Sequence, residues 1–169
     1  IQVKNVHDKE DTIATIQVDY YSAARFGLSY VDATGQAQRP VIIHRAILGS
    51  FERFIAFLLE HTAGVLPLWL LPMQVVLLPV SEKHYAYAQS ILEQLRNTDI
   101  RAHLGSADET LGKRIREAEM KKIPYILVLG DKEIQNSTVN VRHYTRGQEG
   151  EIGISELAQK IRNEVQEKR

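Results

Sequence analysis

The most apolar stretch of the chain, residues 65–80, contains three prolines, and these limit what the chain can fold into. Pro67, Pro72 and Pro79 interrupt it, and a proline inside a helix removes a hydrogen bond and clashes with the preceding turn. The prolines exclude an uninterrupted membrane-spanning helix, which needs about 20 apolar residues. The N-terminus also lacks the apolar segment of a secretory signal. We therefore expect a cytoplasmic protein with no membrane partner.

The hydrophobic pattern differs on the two sides of this proline-rich segment. Before it, residues 15–20 alternate between apolar and polar side chains, as in a half-buried antiparallel strand. After it, apolar strands alternate with amphipathic helices, which is typical of an α/β domain with a mixed, mostly parallel sheet. We predict an α/β protein with two parts, residues 1–72 and residues 73–169.

Composition excludes several classes of function. The 169 residues include 21 Lys and Arg against 21 Asp and Glu, so no overall positive field attracts a polyanionic partner. The chain has no Cys, which excludes a disulfide scaffold, a Cys-type zinc finger and a thiol nucleophile. The common mononucleotide-binding and hydrolase motifs are also absent from the sequence.

The segment that follows Gly49 predicts a helix with a cation in its first turn. Ser50 is the expected N-cap. Apolar residues then recur at helical spacing, at Phe51, Phe54, Ile55, Leu58 and Leu59. A cation at Arg53 is unfavourable beside the helix dipole by about 0.3–1 kcal/mol, which makes sense if the arginine and the helix end bind a phosphate. Pairing of Arg53 with Glu52 or with a solvent-exposed carboxylate is the alternative.

His44 ends an apolar strand nine residues before Arg53. A lone His at such a position is either a hydrogen-bonded core residue or a metal ligand. Catalytic zinc needs at least three protein ligands, and no second His lies at short ligand spacing. From the residues themselves both interpretations remain open.

Two features of the C-terminal part could contact nucleic acid. Residues 111–122 predict a helix with five basic residues and with Asp108 as its N-cap. Arg116 on this helix could contact phosphate, or it could belong to a solvated helix surface. Arg142 and Asn140 share one face of an alternating strand, from which such side chains could read base edges.

Several segments, taken in order, resemble one family. PVIIHRAILGSFERFIAFLLEH resembles the third signature motif of class II aminoacyl-tRNA synthetases, and a His nine residues before the motif Arg is the pattern of the threonyl-tRNA synthetase family. Further segments that resemble this family are TIQVDYY, LPLWLLPMQVVLLPV, LGKRIREAEMKKIPYILVLGDKE and TVNVR. The resemblance implies that residues 1–72 are the end of a catalytic domain, with an antiparallel sheet and the motif helix. Residues 73–169 would then form an anticodon-binding domain.

The resemblance also implies roles for individual residues. Arg53 would contact ATP, which Mg²⁺ accompanies, and Ser50 would lie near the adenosine. Thr15 and Gln17 would line the amino-acid pocket. His44 would be one of three protein ligands of a Zn²⁺ ion. The residues that would face the tRNA anticodon are Asp108, Arg116, Glu133 and Arg142.

The activity implied by the resemblance is that of a threonine–tRNA ligase, which activates threonine with ATP and transfers it to tRNA(Thr) as a homodimer. Two local departures are Ile13-Ala14, where Cys-Gly is usual, and Ser106-Ala107-Asp108, where Asp-Arg-Asn is usual. The first two class II motifs and the other zinc ligands are not in the 169 residues, so we predict that the fragment by itself is inactive. The alternative is a non-catalytic tRNA- or RNA-binding accessory protein derived from a class II synthetase.

Overall fold

The computed structural model describes residues 1–168 and separates into two compact units, Ile1–Gly64 and a second unit that begins at Val65. The division predicted from the sequence lies further along, after residue 72. Within residues 1–168, no helix has both the length and the apolar character that crossing a membrane requires.

The first unit is made of short antiparallel strand pairs and two helices. Its elements are β1 (Gln2–Lys4), β2 (Glu10–Thr12), β3 (Thr15–Asp19), α1 (Ser22–Arg25), β4 (Tyr30–Val31), β5 (Ala37–Gln38), β6 (Ile42–Ala46) and α2 (Phe51–His61). Strand β1 pairs with β2, β3 with β6, and β4 with β5, all antiparallel. The antiparallel character predicted for the N-terminal part is therefore confirmed.

Helix α2 begins where the sequence predicts, but its apolar stripe is not buried. The Ser50 Oγ accepts a hydrogen bond from the backbone N–H of Arg53 at 3.3 Å, which confirms Ser50 as the N-cap. Phe51 is nevertheless 84% exposed, and no residue of α2 is fully buried. Among residues 1–64, all of which are described, Ala23 is the one fully buried hydrophobic residue. The first unit thus has no hydrophobic core of its own.

The second unit is built around a five-stranded sheet. Its elements are β7 (Val75–Pro79), α3 (Tyr85–Arg96), β8 (Ala102–Leu104), α4 (Leu111–Met120), β9 (Tyr125–Leu129), α5 (Asp131–Asn136), β10 (Thr138–His143), β11 (Gly147–Gly153) and α6 (Ile154–Gln166). The strand order is β11-β10-β9-β7-β8. Strand β7 is parallel to β8 and β9, whereas β10 is antiparallel to β9 and β11. The predicted mixed α/β fold is confirmed, with as many antiparallel pairings as parallel ones.

The core of the second unit lies on both faces of this sheet. Successive residues of a strand point to opposite faces, so neighbours in β7 join different clusters. Leu77 belongs to the cluster that includes Leu92 of α3 and Leu157 of α6. Val76 belongs to the cluster that includes Ala118 of α4. Helices α3 and α6 therefore cover one face, and α4 covers the other.

One local prediction for the second unit is wrong, and two of its elements have no counterpart in the sequence-based prediction. Helix α4 is capped by Thr110, whose hydroxyl accepts a hydrogen bond from the backbone N–H of Lys113 at 3.4 Å, and not by Asp108. The two elements without a prediction are α5 and β11. Helix α5 has only 6 residues, and the β11 sequence GQEGEIG has no regular apolar alternation. Neither is long or regular enough to give a periodic signal.

The start of the second unit is fixed to its sheet by two side chains. The Nε of Arg101 donates to the carbonyl oxygen of Leu71 at 2.8 Å. The buried Gln74 donates through Nε2 to the carbonyl oxygen of Leu68 at 3.0 Å, and its Oε1 accepts from the backbone N–H of Arg101 at 3.0 Å. These bonds explain why residues 65–72, which the sequence-based division assigns to the first part, fold with the second unit.

Candidate functional site

The register of β3 against β6 brings several predicted pocket residues of the first unit side by side. Gln17 lies directly opposite His44, and Thr15 lies opposite Ala46. Directly opposed residues of an antiparallel pair project to the same face, so Thr15, Gln17 and His44 share one face of this strand pair. These are the residues that the resemblance assigns to the amino-acid pocket and the zinc site.

Asp19 belongs to the same polar face and contacts the His44 imidazole. The Nε2 of His44 lies 3.1 Å from the Oδ2 of Asp19, while the Asp19 Oδ1 accepts the backbone N–H of Ser22 at 2.9 Å. Hydrogen bonds from Ser22, followed by that of His44, hold the pKa of Asp19 far below its usual range. A charged acceptor beside Nε2 favours the proton on that nitrogen and leaves the Nδ1 lone pair available. Sequence analysis missed Asp19, although the alternation that includes Thr15 extends to it.

This face offers a single imidazole to a metal ion. Among the described residues, no three or more His, Asp or Glu side chains lie close enough together to hold one. Zinc in proteins takes three or four protein ligands. The chain by itself therefore does not fit a resident zinc ion, and His44 could bind zinc only together with ligands from elsewhere.

Arg53 and Ser50 lie at the N-terminal end of α2. The Arg53 side chain lines a cavity of about 160 Å³ together with Gly49 and Asp11. Glu52, the alternative partner of Arg53, instead accepts its own backbone N–H and a bond from Ser50, which lower its pKa. Arg53 is exposed and makes no ion pair with any residue between 1 and 168. The Arg53 guanidinium, next to the N-terminal end of α2, can therefore meet an external anion.

In the second unit, Arg142 and Arg116 lie on neighbouring elements. Arg142 lies opposite Ile126 in the β10–β9 pair, and thus on the sheet face that α4 covers. The Arg142 Nε donates to the Oε1 of Glu119 on α4 at 2.8 Å. Arg116 is exposed and precedes Glu119 by three residues, so the two share a side of α4. Asn140, two residues before Arg142, projects from the same sheet face.

The other two predicted tRNA-facing residues have different surroundings. Asp108 is exposed in the loop before α4. Glu133 is only 6% exposed, and its Oε2 accepts the backbone N–H of Gly130 at 2.8 Å in the first turn of α5. In the described part of the chain, no hydrogen bond or ion pair joins either residue to Arg116 or Arg142. Glu133 supports the start of α5, and its contact with tRNA stays a prediction.

Arg114 is a buried cation that sequence analysis missed. It is 7% exposed, and its Nη1 donates to the carbonyl oxygens of Pro79 at 2.8 Å and Ser106 at 3.0 Å. These bonds tie the loop that contains Asp108 to the end of β7. Arg114 lies four residues before the buried Ala118 on α4, and this inward spacing is the signal that could have identified it.

Two family models match the chain. The model described as "tRNA synthetase class II core domain (G, H, P, S and T)" matches residues 2–62, and the one described as "Anticodon binding domain" matches residues 74–164. The chain belongs to the anticodon-binding domain family of the class II tRNA synthetases. The class II family predicted from the motifs is thereby confirmed, and the chain combines a segment of the class II core with an anticodon-binding domain.

Curated relatives of the chain are threonine–tRNA ligases. The protein of Clostridium perfringens (strain SM101 / Type A) is 45% identical over 165 residues, which cover 98% of this chain and 26% of the relative. The protein of Flavobacterium johnsoniae is 47% identical over 167 residues, covering 96% of this chain and 26% of the relative. The chain therefore spans about a quarter of the length of these relatives.

Solved structures with a similar fold include two from Cryptosporidium parvum. The RNA-binding domain of threonyl-tRNA synthetase from Cryptosporidium parvum Iowa II matches with a TM-score of 0.76 and 36% identity, covering 96% of this chain and 41% of that one. Prolyl-tRNA synthetase from C. parvum matches with a TM-score of 0.77 but only 20% identity, covering 94% of this chain and 34% of that one. The second match supports the fold only.

Proposed function

We propose that this chain is part of a threonine–tRNA ligase and supplies its anticodon-recognition domain together with a segment of its catalytic core. The observation that supports this most directly is identity of 45% and 47% with threonine–tRNA ligases over nearly the whole chain. The complete protein would join threonine to tRNA(Thr) at the expense of ATP with Mg²⁺. A homodimer in the cytoplasm, as the resemblance implies, belongs to the same proposal.

In the core segment, the residues would divide into two groups. Arg53 and Ser50 would bind ATP at the start of α2, where the arginine offsets charge that develops at the α-phosphate. Thr15 and Gln17 would line the threonine pocket, and His44 would contribute one zinc ligand to a site completed outside this chain. A pocket that must coordinate the threonine hydroxyl would strongly reject the valine isostere. The shared face of the β3–β6 pair supports the second group.

We expect the 169-residue chain by itself to show no threonine-dependent exchange of pyrophosphate into ATP. It offers one imidazole where zinc needs at least three ligands, and only part of an ATP site. The measurement is an isotope-exchange assay of the purified chain with and without threonine and Zn²⁺. Exchange above the level without threonine would contradict the expectation.

In the anticodon-binding domain, Arg142 and Arg116 are the proposed tRNA contacts, on β10 and on the adjacent α4. Arg116 is exposed on α4, and the Arg142 side chain, on the sheet face next to α4, is 39% exposed. A local basic surface of this kind can bind RNA even though the chain has no net charge, because phosphate contacts act at short range in salt. Reading of anticodon bases would come from Arg142, with its planar guanidinium on a rigid strand.

Replacing Arg142 by Ala should cost about 1–3 kcal/mol in binding of tRNA(Thr), because a guanidinium that reads a base edge contributes that much discrimination. The loss should be much smaller for tRNA(Thr) with a changed middle anticodon base. Titration of the full chain with both RNAs at two salt concentrations measures this. Arg162→Ala is the matched control, since Arg162 lies on α6, across the sheet from α4. Equal affinities of the unaltered chain for both RNAs would contradict the proposal.

A further inference from the structure

Arg142 is held by a single carboxylate. Its Nε donates to the Oε1 of Glu119 at 2.8 Å, which links β10 to α4 across 23 residues of sequence. The side chains are 39% and 33% exposed respectively, so the pair lies at the surface but is partly enclosed. In the described part of the chain this is the one hydrogen bond of the Arg142 side chain, and both Nη groups lack a protein partner.

This geometry fixes the direction of the guanidinium without using its terminal donors. An unrestrained arginine side chain samples many rotamers, so binding that fixes it in one of them loses conformational entropy and is weakened. The guanidinium is planar, so a bond at Nε also sets the plane in which both Nη groups lie. The two Nη groups are thus already oriented for a bidentate contact with a flat acceptor such as a base edge.

The negative charge of Glu119 weakens the electrostatic attraction between this surface and RNA. The phosphates of RNA repel a carboxylate, and an exposed ion pair stabilises a fold by only about 0–1 kcal/mol. Neither general affinity nor stability therefore accounts well for a carboxylate beside Arg142. Orientation of the arginine is the effect that the distance and the free Nη groups support.

We propose that Glu119 is a positioning residue that preorients Arg142 for reading an anticodon base, and that it gives selectivity at the expense of general RNA affinity. This inference rests on the proposed function of the second unit. Glu119 makes no contact with RNA in this scheme and acts only through Arg142.

The test compares three variants of the full chain. Glu119→Ala removes both the charge and the acceptor, whereas Glu119→Gln removes the charge but keeps an acceptor for Nε. Glu117→Ala is the matched control, because it removes a carboxylate from a different side of the same helix. There Glu117 lines a groove with His103 and Lys121. Each is titrated with tRNA(Thr) and with tRNA(Thr) carrying a changed middle anticodon base.

For Glu119→Ala we expect discrimination between the two RNAs to fall about tenfold, within the roughly 5- to 150-fold that a bidentate contact supplies. Affinity for the altered RNA should rise about twofold, because a repulsive charge is gone. Glu119→Gln should keep most of the discrimination, and Glu117→Ala should keep all of it. A variant that merely misfolds would instead lose affinity for both RNAs.

A second readout needs no RNA. In NMR spectra of the unaltered chain and of Glu119→Gln, the Nε–Hε resonance of Arg142 should be sharp, and its proton should exchange slowly with water. In Glu119→Ala this resonance should overlap with those of mobile arginine side chains. Unchanged discrimination or an unchanged resonance in Glu119→Ala would overturn the inference while leaving the proposed function intact. Absence of discrimination in the unaltered chain would overturn both.

Discussion

Leu77→Ala is expected to lower the free energy of unfolding of the second unit by about 3–5 kcal/mol, the upper part of the range for deleting a buried leucine side chain. Leu77 is 0% exposed, lies in β7 between β8 and β9, and belongs to the larger of the two core clusters. The strands on both sides prevent the site from collapsing, so a cavity adds to the lost transfer energy. Urea unfolding followed by circular dichroism measures the loss.

The matched control is a truncation in the first unit. Phe51→Ala removes a larger apolar side chain, but one that is 84% exposed, so the free energy of unfolding should change by no more than about 0.5 kcal/mol. A loss at Phe51 as large as that at Leu77 would mean that the stripe of α2 is buried in solution. That result would contradict the assignment of the core to the second unit.

The second large effect is a loss of stability in mild acid caused by His143. Its side chain is 8% exposed, and burial lowers its pKa to about 4, with Arg146 and Lys160 acting in the same direction and Glu149 opposing them. Between pH 6.5 and about pH 4 the unfolded chain binds a proton at this residue that the native chain does not. The free energy of unfolding should therefore decrease as the pH falls through this window, by up to roughly 3 kcal/mol from this residue.

His143→Asn separates this contribution from that of the carboxylates. The Nδ1 of His143 accepts backbone N–H groups of Thr145 and Arg146, at 3.3 and 3.4 Å, and the Asn carbonyl can replace this acceptor without titrating. The variant is expected to be less stable than the unaltered chain at pH 7.5 because it loses ring packing, yet to lose less stability on acidification. Urea unfolding at half-unit pH steps gives both curves. Parallel curves between pH 6.5 and 4 would exclude His143 as the source.

Local signals in the sequence predicted the elements with strong periodicity or a clear cap. Ser50 and the start of α2 follow from an N-cap preference that acts within one turn. The two-part organisation follows from the change of pattern around the prolines. Local signals could not predict whether the apolar side of α2 is buried. Periodicity shows which side of a helix is apolar, but not whether another element covers that side.

The same limit applies to the candidate sites. Alternation placed Arg142 on a strand face, but its bond to Glu119 depends on how α4 packs over the sheet, which no local pattern encodes. The resemblance gave Glu133 only as a tRNA-facing residue, and its burial comes with its hydrogen bond to the backbone N–H of Gly130 at the start of α5. Asp19 and Arg114 escaped notice because a charged residue at a strand end or on a mostly basic helix is unremarkable until its partners are known.

The bonds that hold residues 68–71 have a practical consequence for dissecting the chain. The family model for the anticodon-binding domain starts at residue 74. A protein expressed from that residue would lack the carbonyl oxygens that accept hydrogen bonds from the side chains of Arg101 and Gln74. Gln74 would become the terminal residue, and the amide that now lies 1% exposed would be solvated. The compact second unit begins at Val65, so residues 65–73 belong to the folded domain.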